Sequence, residues 1–548
     1  MSTADSAMSI SVTARRHRVA FFCILVATLV GGIIRFWNLG GRDFWFDESC
    51  TYLYVRHFFD WPFKSSLLVE STNTPYYFLL RFWTDFFGDS EVSYRSFSAL
   101  AATLTVGILG VAAWRLRGGL AGGVAAILAA VHPLHVYYAG EARAYALWML
   151  LLSASLFTLI EAARTGRVRW WVAFGACISA SLPTHYFSIY FLGASVGCVF
   201  LSDDRRRVFR QWAITAGVVM VGFVPWLIYA VLPAASLGGA KWVEPGFDVL
   251  LSIPRTLWAL LPCGAYPGYL RGLSVSSSET MVQPSFIVVL SRVVPVFLLA
   301  VIAMVVVERR RATAHRTCPR ELCFLMGVSV GSLVLAWLYA VLVRPNYLVG
   351  RYDMVGWPGF VLLMSILVSE FARVIRKGLV FSLVGCVVLV ACSSVPLVRM
   401  NGRSKMKSLY RLRAEAIASR ARADDLIITF SYDRDAMSYY YDRAGGGAAT
   451  RSFPSWLDDQ IGWVDSEADL CEKRRPALVA DARALAQLAR EKVRNGHRVF
   501  LMADSSDPRN EGRRAELRAV LVEALRKADL QLRLVDAVML IERIEPAE

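Results

Sequence analysis

Residues 44–49 read FWFDES and set two adjacent carboxylates, Asp47 and Glu48, among bulky rings directly after a long apolar run. Rings of that size strip water from an acid and favour a group that holds or passes a proton. A carboxylate so placed could take the proton of an attacking hydroxyl, while its neighbour orients it, binds substrate hydroxyls or helps to hold a divalent cation. A solvated turn is the bland alternative. The complementary charges are Arg95 and Arg351, each at the mouth of a later apolar run. Guanidinium grips phosphate oxygens through two parallel bonds, and it serves equally as an interfacial anchor. Glu141, Arg143 and Tyr145 fall together in GEARAY, and His185 lies in PTHYF. The first two form either a local ion pair or part of a site; the histidine reads first as a satisfied interfacial residue. His132 and His135 with Glu141 approach metal-ligand spacing, but Pro133 interrupts the helix between them, so no metal set is assigned.

The elements that must position these groups are membrane spans. Of 548 residues 56% are hydrophobic and 19% charged, too apolar for a soluble chain of this length. Runs long enough to cross about 30 Å of hydrocarbon recur near residues 19–37, 97–114, 119–139, 143–163, 170–184, 186–202, 212–232, 285–307, 322–343, 354–372 and 378–397. The fold class read from them is a polytopic α-helical membrane protein of about eleven spans. The first run follows Arg15, Arg16 and Arg18 without a small-residue cleavage site, and reads as a retained span behind a cytoplasmic segment 1–18. Most cysteines lie in apolar runs and read as small core residues, with no zinc-type or disulfide spacing.

Lys and Arg set the orientation. Arg115 and Arg117, Arg164, Arg167 and Arg169, Arg205–Arg207 and Arg210, Arg309–Arg311 and Arg316, and Arg373, Arg376 and Lys377 all fall in alternate loops. The net charge of +16 is therefore mainly a topology signal, and scattered bases of this kind argue against a nucleic-acid surface. Every unusual polar residue falls on the opposite face, in the outer loops 38–96 and 233–284 and the shorter turns. WPFKSSLLVE and PYYFLLRFWTDFFG suit helices lying along the interface. Residues 19–399 thus read as the membrane domain. Residues 400–548 read as a soluble α/β domain outside, in which helices alternate with buried strands and no Gly-rich phosphate loop opens a helix. A structural or acceptor-docking role fits it.

In order along the chain, the acid pair after the first span, NTPYYFLLRFWTDFFGDSEVSYRSFSAL, YYAGEARAYALWMLLLSAS, THYFSIYF and RYDMVGWPGFVLL resemble the bacterial membrane glycosyltransferases of the GT-C class. The nearest branch is similar to protein O-mannosyltransferases and the lipid A aminoarabinose transferase. The resemblance covers residues 19–397 and reaches the soluble domain only in general layout. It implies an inner-membrane enzyme that moves a sugar, with inversion, from a polyprenyl-monophosphate donor to an acceptor hydroxyl of lipopolysaccharide, polysaccharide or protein on the periplasmic face. It implies that Asp47, with Glu48, is the base or its close partner, that Arg95 binds the donor phosphate, and that Arg351 and Tyr352 match a late arginine-tyrosine pair. Asn73, Thr74, Pro75 and Tyr76 stand where relatives commonly carry a His-Pro-Pro-Leu run, which removes that histidine's role and leaves Tyr76 among the substrate-site candidates. No cofactor is implied beyond the divalent cation that Asp47 and Glu48 could hold.

Two rival classes differ in where they need charge. A flippase or other transporter places charged groups near the bilayer midplane and often shows internal repeats, whereas these runs carry few charges and no convincing repeat. A polyprenyl-phosphate phosphotransferase would share the phosphate clamp but lack an acceptor site.

Overall fold

The computed structural model describes residues 3–60, 73–232, 249–261, 320–374, 380, 408–458, 461, 474–502, 511–535 and 538–544. The expected span 285–307, all of 378–397 but residue 380, and most of the 233–284 loop lie outside the described residues.

Six described helices are long and apolar enough to cross a membrane, within 17–36, 91–117, 145–165, 205–230, 320–342 and 353–373. A helix pair bent by 58°, Gly119–Val131 and Pro133–Ala139, makes a seventh if it is one span. The two runs expected at 170–184 and 186–202 are a helix Val168–Thr184 and an α-then-3-10 stretch Ser188–Leu201, separated at His185, and each is shorter than the six longest helices.

In chain order the described α-helices of the membrane region are α1 (Thr3–Phe36), α2 (Phe46–Arg56), α3 (Thr74–Phe87), α4 (Glu91–Arg117), α5 (Gly119–Val131), α6 (Pro133–Ala139), α7 (Tyr145–Thr165), α8 (Val168–Thr184), α9 (Ser188–Ala194), α10 (Arg205–Trp226), α11 (Ser252–Ala259), α12 (Arg320–Leu342) and α13 (Trp357–Val374). Small residues let the first of these approach closely. A methyl group added at Gly110 on α4 would come within 2.9 Å of Ile24 on α1 and 3.1 Å of Ala126 on α5.

The bend between α5 and α6 follows from Pro133, which has no N–H to close the helical bond it interrupts. Arg35, buried inside α1, donates to the freed carbonyls of Ala129 and Ala130 at 2.8 Å each and lies 2.7 Å from His135 Nδ1. His135 stacks on Trp357 at 4.3 Å, and His132 Nε2 sits 3.0 Å from the Leu260 carbonyl. The two histidines thus support a broken helix.

The two ends of the bundle differ in chemistry. At one end Arg115 pairs with Glu161 at 2.8 Å, Arg117 with Glu321 at 3.2 Å, and Arg373 donates to the Arg117 carbonyl at 2.7 Å. Arg95 opens the other end of α4, about 30 Å away at 1.5 Å of rise per residue, and there the first outer loop folds. Its α3 buries Tyr76, Tyr77 and Leu80 and leaves Phe78, Leu79, Phe82, Phe86 and Phe87 exposed.

Above that end sits a five-stranded sheet in the order β2-β1-β3-β5-β4. β1 (Leu426–Phe430), β2 (Ala449–Phe453) and β3 (Val499–Met502) run parallel, and β5 (Val538–Arg543) runs antiparallel to both β3 and β4 (Leu530–Val535). Helices α14 (Leu409–Ala418), α15 (Ser431–Arg443), α16 (Arg475–Arg494) and α17 (Glu511–Lys527) connect and cover it. The stretch near residues 530–544, which reads as one strand, forms two.

Candidate active site

Helix α2 carries both acids in its first turn, where the positive end of the helix dipole favours carboxylates. Successive residues on a helix point about 100° apart, and the two acids meet different surroundings. Glu48 is fully buried. Its Oε1 accepts from Arg95 Nε at 2.8 Å and the Ala142 N–H at 2.9 Å; its Oε2 accepts from Arg95 Nη2 at 2.7 Å and the Trp45 N–H at 3.4 Å. Burial works against this charge, yet Arg95 and, more distantly, Arg42 hold the carboxyl below its ordinary range.

Arg95, also fully buried, gives its remaining N–H groups to the carbonyls of Leu39 (2.7 Å), Arg42 (2.7 Å) and Asp43 (3.0 Å). A guanidinium has five donors, and all five are taken. Arg95 is the pin around which the first outer loop wraps. In this conformation it has no N–H to offer a phosphate, and Glu48 has no lone pair to offer a proton or metal. The catalytic role expected of Glu48 and the phosphate contact expected of Arg95 would thus require these bonds to open, since Glu48 is occupied by Arg95, Ala142 and Trp45, and Arg95 by Glu48 and three carbonyls.

Asp47 faces the opposite way, its side chain 12% exposed, with Oδ2 2.9 Å from Arg351 Nη2. Arg351, 18% exposed, also donates to the Tyr145 hydroxyl at 2.5 Å and lies 5.3 Å from that ring and 5.9 Å from that of Tyr352. Burial opposes the charge of Arg351, but Tyr145, Tyr352 and Asp47 outweigh it and hold the guanidinium charged. The turn before it requires Gly350, whose φ of +78° is costly for residues with a Cβ. That turn is fixed by Tyr138, which donates to the Gly350 carbonyl at 2.8 Å, and by Asp353, which accepts the Gly350 N–H at 3.0 Å and the Thr256 hydroxyl at 2.7 Å.

Arg143 lies on the same side as Asp47, donating to the Tyr77 hydroxyl at 3.0 Å and reaching the Asp47 carbonyl at 3.5 Å. His185 stacks on Trp148 at 3.9 Å and meets the Tyr352 ring at 5.1 Å. Burial, then Arg351 and Arg143, push its imidazole down to about 3, so it is neutral. The structure thus gathers Asp47, Arg143, Tyr145, His185, Arg351 and Tyr352 around one mouth. Tyr76 stays behind it, buried and bonded to Ser98 at 2.9 Å.

Glu141 lies beside the Arg95 pin. It accepts from the Tyr137 hydroxyl, and Arg42 reaches the adjacent Gly140 carbonyl at 2.6 Å. Burial, partly offset by Arg42, pushes its carboxyl up to about 7. The folded chain therefore keeps a proton that the unfolded chain releases. Stability from this group is full below the unfolded value, about pH 4.5, and is lost as pH rises through about 7. The melting temperature of the purified protein should fall between about pH 5 and pH 8, and Glu141→Gln should flatten that slope. Equal slopes in parent and variant would refute the assignment.

The carboxylates expected to hold a divalent cation are engaged otherwise in this structure. Glu48 is saturated, Asp47 is paired with a guanidinium, and the described residues hold no group of three or more metal-ligating side chains. His132 and His135 turn to Leu260 and Arg35, not to Glu141. Sequence reasoning missed Arg42, Asp43, Tyr138 and Asp353. Asp353 adjoins Arg351 and Tyr352 in RYD, and Arg42 and Asp43 precede the acid pair by a few residues, so proximity to the chosen residues was the available signal.

The chain carries a partial match to one family of membrane glycosyltransferases. Residues 74–229 match the family described as dolichyl-phosphate-mannose-protein mannosyltransferase, from α3 through α10. No curated protein sequence matches the chain. Among solved structures it is similar to the Archaeoglobus fulgidus oligosaccharyltransferase in the apo form (12% identity, 77% of this chain and 64% of that one, TM-score 0.48). It is similar also to oligosaccharyltransferase AglB of that organism in complex with an inhibitory peptide and a dolichol-phosphate (12%, 93% and 72%, TM-score 0.49). A third is ArnT from Cupriavidus metallidurans bound to undecaprenyl phosphate (15%, 94% and 97%, TM-score 0.45). The chain spans just under two thirds of the length of the first of these, 64%.

Proposed function

We propose that this protein moves a sugar from a polyprenyl-monophosphate donor to an acceptor hydroxyl of lipopolysaccharide, polysaccharide or protein, at the outer face of a bacterial inner membrane. The observation that carries the reading is the 2.9 Å pair between Asp47 and Arg351 at a mouth lined by Tyr145, Tyr352 and His185. The outer orientation is supported by the basic cluster of Arg115, Arg117 and Arg373 at the opposite end, since Lys and Arg mark cytoplasmic ends.

Donor phosphate draws Arg351 away from Asp47 as it binds. The C1–O bond to phosphate then breaks with its electron pair on the departing phosphate, whose growing charge the guanidinium offsets. The acceptor oxygen bonds to C1 from the opposite face, through an oxocarbenium-like centre, and its proton passes to Asp47. One displacement inverts the anomeric carbon. Arg143 borders the same space and suits contacts to sugar hydroxyls. Glu48 and Arg95 hold the helix that aims Asp47.

The test is donor consumption by the protein in liposomes given a panel of polyprenyl-phosphate sugars and membrane extract as acceptor. Release of free polyprenyl phosphate coupled to a sugar-bearing product is the expected result. No consumption of any donor overturns the reading.

A further inference from the structure

The first outer loop is held from two sides. Beneath it is Arg95; above it are the residues that follow the membrane region. Asp43 accepts the Ser408 N–H at 2.5 Å on Oδ2 and Arg411 at 2.9 Å on Oδ1, while its own carbonyl accepts Arg95. The next N–H, that of Phe44, donates to the Tyr440 hydroxyl at 2.5 Å. Along α2, Tyr52 and Arg56 both reach Asp442, at 2.9 and 2.6 Å, one helical turn apart. Asp43 thus joins the Arg95 pin to α14, and α15 lies along α2.

A helix of 11 residues is marginal by itself, so its placement comes from what packs on it. Asp47 must project from its first turn toward Arg351 while Glu48 engages Arg95 on another side. The N-terminal turn therefore has little freedom to roll.

We infer that the C-terminal region is a positioning part of the active site, with Asp43, Tyr440 and Asp442 as the residues that set α2. This rests on the transfer reading for its consequence, but not for its geometry. A module that served only to bind acceptor would change acceptor affinity and leave α2 where it is.

Cys50 reports the contact independently of activity. It is buried on α2, with Sγ 3.8 Å from Asp435 Oδ2 on α15. The full chain in liposomes is compared with Tyr440→Phe, which keeps the ring and removes the acceptor for the Phe44 N–H, and with Asp442→Asn. Two quantities are read: the rate of Cys50 alkylation by iodoacetamide, followed by peptide mass spectrometry, and donor KM and kcat. Each variant should raise the Cys50 rate several-fold and lower kcat about tenfold with donor KM within about twofold, as expected for losing one buried hydrogen bond that orients rather than binds. Unchanged Cys50 rates overturn the inference, as does full kcat with Cys50 exposed. If the parent turns over no donor, the transfer reading fails, and the Cys50 rates still decide whether these residues hold α2.

Discussion

Asp47→Asn should abolish transfer and leave the donor bound. General-base removal costs about 100-fold to 10,000-fold in rate, and among the described residues the neighbouring carboxylate is not free to substitute. Glu48 is next in sequence, but its lone pairs are filled by Arg95, Ala142 and Trp45. The same substitution relieves a competition. Arg351 is paired with Asp47 across 2.9 Å, and phosphate must take the guanidinium from that carboxylate. An amide holds it less tightly. Donor affinity should therefore be unchanged or higher in Asp47→Asn while kcat collapses. Equilibrium binding of a polyprenyl phosphate and single-turnover transfer, measured on the same preparation, separate the two effects. Transfer within a few-fold of the parent would remove Asp47 from the base role. Loss of donor binding together with transfer would make Asp47 a donor ligand or a structural residue.

How much of this could be read in the sequence depends on whether the signal was local. Hydropathy locates most of the described spans, because twenty apolar residues in a row need no knowledge of neighbours. It also places the break at 168–201, where Pro183 and the His185 turn cut the chain into two pieces shorter than a usual span. The β2 strand, ATRSF, escaped notice because three of its five residues are exposed at a sheet edge and carry no hydrophobic alternation. Likewise, no glycine or proline separates β4 from β5 in sequence.

The site shows the same division. Asp47 and Arg351 both stand out as charges at the mouths of apolar runs, yet 304 positions separate them and only the fold brings them to one ion pair. Arg95 has the same local signature as Arg351 and a different fate. What distinguishes them is a set of three backbone carbonyls and one carboxylate, and carbonyls leave no mark in a sequence. The interlock of Asp43 and Phe44 with Ser408, Arg411 and Tyr440 is similarly invisible, since each partner looks like an ordinary polar residue of its own segment.

That difference in fate makes the two arginines the sharpest contrast to measure. Arg351→Ala should weaken donor binding about 10-fold to 100-fold, the range for a charge-assisted bond to phosphate, and should lower kcat further because the leaving group then departs without its counter-charge. Stability should fall less than in the Arg95 variant, since the side chains of Arg351 and Asp47 reach solvent in part whereas Arg95 and Glu48 are fully buried. Arg351→Lys should recover part of the affinity as a point charge, but not the paired contact with Asp47 and Tyr145. Arg95→Ala should behave in the opposite manner. It strands a buried Glu48 and three carbonyls, a loss on the order of 3–5 kcal/mol for breaking a buried pair, so the melting temperature should drop and the first outer loop should become protease-sensitive. Donor titrations and thermal melts of the two variants, side by side, decide the assignment. If Arg95→Ala keeps its stability and loses donor binding while Arg351→Ala binds as the parent does, the phosphate belongs to Arg95, and the pin must open whenever donor enters.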